Sequence, residues 1–173
     1  LAQPANPLLQ PATRAQPRHV GIIGAGTIGP DIGYYLKTAV PGLKLTLIDI
    51  RQTAIDAALA RLRDYADKAV AKGKMKPAAA AAALEGVTGS TDYAALASCD
   101  WVIEAATEDL ALKHRIFADV EARVAPTAAI TSNTSSLPAA RLFAHLKHPE
   151  RATVTHFFAP AWRNPAVEVI AWE

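Results

Sequence analysis

The sequence predicts an α/β domain, a doubly wound and mostly parallel sheet with helices on both faces. Short apolar runs alternate with helical stretches from Arg18 to the end of the chain. The connections between them are short, and the apolar runs read as strands covered on both faces. At 173 residues, with 51% hydrophobic and 20% charged residues, the chain has the size and composition of one globular domain with a substantial core.

Taken in order, Leu1 to Pro17 carry Pro4, Pro7, Pro11 and Pro17 with little periodicity and read as a tail or interdomain linker. The domain therefore occupies residues 18–173. His19–Ile23 is the first strand and Ile28–Ala39 the first helix. Leu43–Ile48 is a strand, Gln52–Lys72 a long amphipathic helix, and Ala78–Leu84 an alanine-rich helix. Val87–Gly89 is a short strand and Trp101–Ala105 a buried one, followed by a helix over Leu110–Val124. Ala129–Thr131 is a strand, Ala139–Leu146 a helix, Thr153–Phe157 a strand, and Val167–Ala171 the last strand. In such sheets ligands bind beyond the carboxyl ends of the strands, beside the point where strand order reverses.

Composition narrows the function classes. A net charge of +2 without a long Lys/Arg run gives no reason to expect a nucleic-acid partner. No apolar run approaches the roughly 20 residues that span a bilayer, so no membrane association is expected. The single cysteine, Cys99, excludes an intrachain disulfide and fits a reducing, cytoplasmic location, where it packs rather than reacts. A chain that starts at Leu1 leaves room for an earlier segment. No metal site is expected.

The first strand runs straight into Gly24-Ala25-Gly26-Thr27-Ile28-Gly29. With a strand before it and a helix after it, this G-x-G-x-x-G is a Rossmann-type phosphate turn. Gly24 permits the turn, Gly26 the approach of a pyrophosphate, and Gly29 close helix–strand packing. The helix N-terminus at Thr27 and Ile28 offers free N–H groups to the anion. The second strand ends in Asp49, about 20 residues on, where a carboxylate accepts hydrogen bonds from a ribose diol and repels a 2′-phosphate. The expected cofactor is therefore NAD, with Arg51 leaving a small opening for NADP.

Four stretches then resemble the 3-hydroxyacyl-CoA dehydrogenase family over roughly Arg18 to the end. They are the glycine turn, Val102-Ile103-Glu104-Ala105-Ala106-Thr107-Glu108-Asp109-Leu110, Ser132-Asn133-Thr134-Ser135-Ser136-Leu137, and Thr155-His156-Phe157-Phe158-Ala159-Pro160 followed by Val167-Glu168-Val169-Ile170. The resemblance implies oxidation of an (S)-3-hydroxyacyl-CoA to the 3-ketoacyl-CoA with NAD+, the chemistry of fatty-acid β-oxidation. Removing a hydroxyl proton near neutrality suits an imidazole. By the resemblance His156 is that base, Glu168 its orienting carboxylate, and Ser132 the hydroxyl bonded to the reacting oxygen. Glu108 and Lys113 match positions that approach the nicotinamide ribose, with solvated surface charges as the alternative. Lys72 and Lys74, in the cluster closing the long helix, are candidates for the phosphates of the acyl-CoA substrate, or simply complement the helix dipole.

The sequence also departs from the family pattern. Ala159 replaces the Asn of His-Phe-Phe-Asn-Pro, Asp31 occupies a position usually held by glycine, and Trp162-Arg163-Asn164 is an unusual composition in which Arg163 could meet an acidic acyl group. The resemblance implies a further C-terminal helical domain, with a catalytic Asn, that is absent from these 173 residues. The longer protein is then expected to be a homodimer or part of a multifunctional enzyme. Two rival readings stay open: an NAD-dependent dehydrogenase of another small hydroxy acid, and a noncatalytic NAD-binding relative.

Overall fold

A computed structural model describes residues 15–172. Most of the Pro-rich stretch, residues 1–14, lies outside the described residues, and Ala15–Pro17 have no regular structure. The elements are β1 (His19–Ile23), α1 (Ile28–Ala39), β2 (Lys44–Ile48), α2 (Gln52–Ala71), α3 (Pro77–Leu84), β3 (Val87–Ser90), β4 (Trp101–Glu104), α4 (Leu110–Arg123), β5 (Ala129–Ser132), α5 (Ala139–Phe143), β6 (Ala152–Phe157) and β7 (Val167–Ile170). Short 3-10 turns cover Tyr93–Leu96 and Pro149–Arg151.

The seven strands form one sheet in the order β3-β2-β1-β4-β5-β6-β7. All pairs are parallel except β6–β7, which is antiparallel. Side chains alternate between faces along each strand, so the sheet carries two cores. Val20, Ile22, Leu45, Leu47 and Ile103 pack under α1 and α2, and Ile23, Ile48, Val102, Ile130 and Val154 under α4 and α5. Helix α2 presents Ile55, Ala58, Leu62 and Ala66 to its core, a stripe at helical spacing. Helix α4 buries Ile116, Phe117 and Val120, and with them Lys113. Burial pushes the Cys99 thiol up to about 12, so it stays protonated at neutral pH, as a packing residue would.

The expected helix over Ala139–Leu146 stops at Phe143. The chain turns off there, and the N–H groups of Lys147 and His148 donate to the Glu121 carboxylate, both at 2.9 Å. A helix continued through Leu146 would carry those groups past α4. Because β1 lies between β2 and β4, the chain leaves β1 to one side and crosses back to β4 on the other. The loops after β1 and β4 diverge, opening a cleft above the centre of the sheet.

Candidate functional site

The turn after β1 shows why glycine is required. Gly24 has φ 108°, a left-handed conformation that a side chain would strain. A Cβ on Gly29 would sit 2.0 Å from the Gly24 carbonyl oxygen, so any side chain there would push α1 off the turn. A Cβ on Gly26 would meet nothing within 4 Å, because that side of the turn opens into the cleft. Thr27 caps α1 without a side-chain hydrogen bond, so the first N–H groups of the helix are not spent on their own cap.

Asp49, at the end of β2, borders the same cleft. One carboxylate oxygen accepts from the Ala25 N–H and the other from the Arg51 N–H, both at 3.0 Å. The Arg51 guanidinium lies 3.8 Å away. The cleft, about 420 Å³, is lined by Gly24, Gly26, Asp49, Ile50, Tyr93 and Ile116 among others. Ile50 is 85% exposed, an apolar side chain open to solvent beside a charged one. Open turn, free helix N-terminus, acid and apolar wall together fit the pyrophosphate, ribose and adenine ring of a dinucleotide.

Beyond β4 and β5 lies a smaller cleft of about 240 Å³, lined by Ile28, Ala106, Glu108, Lys113, Asn133 and Ser135 among others. Its floor is an ionic network. The Lys113 ammonium, 1% exposed, donates to both oxygens of Glu104, which is 0% exposed, at 2.7 and 2.8 Å, and lies 3.2 Å from Glu108. Lys113 is therefore a buried cation and not a solvated one. Burial alone would raise the Glu108 carboxyl. Hydrogen bonds from the Thr134 and Ser136 hydroxyls and the neighbouring Lys113 charge outweigh it and hold the carboxyl below its usual value.

Ser132 does not reach this cleft, which corrects its expected contact with a reacting oxygen. It is fully buried, and its hydroxyl donates to Glu104 at 2.6 Å. The cause is register: Ser132 is the last residue of β5 and pairs directly with Glu104 of β4. The hydroxyl residues that line the cleft are Thr134, whose hydroxyl donates to Glu108, and Ser135.

His156 and Glu168 are cross-strand partners in the antiparallel β6–β7 pair. Imidazole Nδ1 lies 3.4 Å from a Glu168 carboxylate oxygen, with the imidazole mostly buried and the carboxylate half-exposed. The Phe158 ring stands 4.5 Å from the His156 ring. The Asn133 side-chain oxygen accepts from the Phe157 N–H at 2.8 Å, tying the end of β6 to the smaller cleft. Lys72 and Lys74 are not grouped with these residues. They line a separate groove of about 390 Å³ with Tyr34, Tyr65, Lys68 and Trp162. Arg163 lies with its guanidinium 5.3 Å from the centre of the Trp162 ring.

Besides Asn133 and Ser135, the sequence reading did not single out Glu104 or Arg61. A lone carboxylate in an otherwise apolar strand was the available signal for Glu104. Nothing in the pattern of α2 marked Arg61, whose guanidinium reaches the carbonyls of Gly26 and Thr27.

Among the described residues no helix is long and apolar enough to cross a membrane, and no cluster of three or more metal-ligating side chains occurs. Residues 19–173 match the model of the 3-hydroxyacyl-CoA dehydrogenase NAD binding domain. Similar solved structures include a 3-hydroxybutyryl-CoA dehydrogenase of Escherichia coli K12, with 33% identity and TM-score 0.87 over 91% of this chain and 33% of that one. The (S)-3-hydroxybutyryl-CoA dehydrogenase of Ralstonia eutropha is 36% identical, with TM-score 0.84 over 89% of this chain and 54% of that one. An NAD+-dependent dismutase, 5-formyl-3-hydroxy-2-methylpyridine 4-carboxylic acid 5-dehydrogenase, is 30% identical, with TM-score 0.78 over 90% of this chain and 49% of that one. The chain thus spans between a third and just over half of the length of these proteins.

Proposed function

Because the chain belongs to the 3-hydroxyacyl-CoA dehydrogenase family through its NAD-binding domain, we propose that it forms the cofactor-binding and proton-handling half of an enzyme that oxidises (S)-3-hydroxyacyl-CoA thioesters. The observation that carries this reading is the His156–Glu168 pair, 3.4 Å apart at the edge of the sheet that also carries the dinucleotide turn. NAD+, when bound, takes up the hydride released from the alcohol carbon.

The chain's own part is to orient the cofactor and move one proton. His156 accepts the hydroxyl proton, and Glu168 across the ladder favours the resulting imidazolium and holds the ring. In this reading the hydroxyl that bonds the reacting oxygen is that of Ser135, which lines the smaller cleft and is exposed there. Glu108 and Lys113, which line the same cleft, in this reading approach the nicotinamide ribose. Lys72 and Lys74 offer cations to the phosphates of the thioester carrier along the aromatic groove. A helical domain beyond these 173 residues, as the family resemblance implies, closes the substrate side.

The test pairs two readouts. NAD+ binding is measured on this chain, and turnover of (S)-3-hydroxybutyryl-CoA is measured on the chain alone and joined to the remaining length of the Ralstonia relative. Binding is expected in both forms and turnover chiefly in the joined one, since positioning the substrate is worth orders of magnitude in rate. His156→Gln should abolish that turnover with NAD+ affinity intact, and turnover that survives it removes His156 as the base. A second reading is favoured by Ala159, which supplies no side-chain amide where the family has Asn, and by the similarity to a pyridine-carboxylate dehydrogenase. If the joined protein binds NAD+ but leaves the thioester unreacted, a small hydroxy acid is the substrate class to assay next.

A further inference from the structure

We infer that Arg61 of α2 is a positioning residue for the dinucleotide pyrophosphate, acting through the backbone of the glycine turn; this rests on the reading of Gly24–Gly29 as the dinucleotide turn. Its guanidinium Nη2 donates to the Gly26 carbonyl oxygen and, at 3.1 Å, to that of Thr27. A peptide unit is planar and trans, so its C=O and the next residue's N–H point in opposite directions. Drawing the Gly26 and Thr27 carbonyls toward α2 aims the N–H groups of Thr27 and Ile28 away from it. Those are N–H groups at the start of α1, and the Thr27 side chain does not cap them. Arg61 therefore orients two donors from behind and adds a positive charge close to where the anion sits.

Arg61 is itself held. Its Nε lies 3.9 Å from a carboxylate oxygen of Asp31, which is almost fully buried. The Tyr65 hydroxyl donates to that same oxygen at 2.9 Å. The Tyr65 ring stacks on Trp162 at 5.2 Å, and Tyr34 meets Tyr65 edge-on at 5.4 Å. Two of the departures noted in the sequence, Asp31 and the Trp162 segment, are thus one connected assembly ending on the phosphate turn. The Arg61 Nε is buried with no hydrogen-bond partner within the protein, so the guanidinium is committed to the two carbonyls through its other end.

The test uses the full chain and two ligands, ADP-ribose, which has the pyrophosphate, and adenosine, which lacks it. Arg61→Ala is expected to weaken ADP-ribose about tenfold, the size of one charge-assisted hydrogen bond, while adenosine binding and the melting temperature change little. Arg61→Lys keeps the charge but cannot span both carbonyls and Asp31, and should fall between wild type and Arg61→Ala. Equal weakening of both ligands makes Arg61 a general structural residue and overturns the inference, as does no change in either. Should Arg61→Ala fail to fold because Asp31 is left unpaired, Asp31→Asn/Arg61→Ala removes both charges and is read by the same two ligands. A wild-type chain that binds adenosine but gains nothing from the pyrophosphate overturns both this inference and the dinucleotide reading of the turn.

Discussion

Glu104 and Lys113 join two charges with almost no water access, and such pairs behave asymmetrically. Removing one partner strands the other in a low-dielectric site, whereas replacing both by apolar groups is nearly neutral. Lys113→Met is expected to destabilise the chain by about 3–5 kcal/mol, and the double change Glu104→Leu/Lys113→Met to recover most of that loss. Urea unfolding measures both, and a double variant as unstable as the single one removes the argument. At Asp49 the expected effect is on selectivity. Asp49→Ala should weaken NAD about tenfold, the loss of a charged acceptor, and leave NADP unchanged or tighter because Arg51 stays nearby; calorimetry with both cofactors shows whether the gap narrows. At this scale Gly24, Gly26, Gly29 and Asp49 were legible because backbone geometry and chemistry demand those residue types at that spacing. The serine was not. Its motif offers three serines, and only the β4–β5 register turns Ser132 inward to Glu104 and leaves Ser135 at the rim.

The elements themselves were legible from periodicity, and their ends from caps. Helix α4 begins where Asp109 accepts the Leu112 N–H at 2.7 Å, a side-chain cap that satisfies one of the first free donors. Asp109→Ala should cost about 1 kcal/mol and lower the melting temperature accordingly, while Asp109→Asn, which keeps an acceptor, should cost less; equal losses would mean the cap is not what matters. Helix α5 was read too long because its stop signal, the Glu121 carboxylate, sits on another helix far away in sequence. For the same reason the sequence could not say that β7 runs antiparallel to β6. That direction sets His156 opposite Glu168, so the proposed acid–base pair depends on a turn whose sequence carried no clear type.

For the molecule as a whole, His19, Glu108 and Glu121 lower stability in acid, while Asp31, whose carboxyl is held above its usual value by burial, works the other way. Burial, helped by the Lys44 charge, holds the His19 imidazole below 6.5 despite Asp100. As pH falls below 6.5 the unfolded chain takes up a proton that the folded one still refuses, so stability falls until the folded pKa is reached. Glu108 and Glu121 act lower down. Burial opposes their ionisation, but their hydrogen bonds and neighbouring cations win and depress both. Their contribution is complete above the unfolded value of 4.5 and is lost as pH falls through the depressed folded values. The melting temperature should therefore fall in two windows, one just below 6.5 and one below 4.5. His19→Asn should erase the first window; a fall that persists there assigns it to another group.

The central place of β1 also has a kinetic consequence. One neighbour, β2, follows after a single helix, but the other side is closed by β4, and Arg18 and Asp100, which meet there, are 82 residues apart. Closing so long a loop is slow and comes late among the chain's contacts. Until it closes, one flank of β1 is bare and Ala105 and Ala106 are missing from the wall of the dinucleotide cleft. A ligand that binds there finds nothing to hold in the barrier-crossing ensemble. NAD added to a refolding chain should leave the folding rate where it was and slow only unfolding, and stopped-flow traces in both directions would show a faster refolding limb if the cleft assembles early.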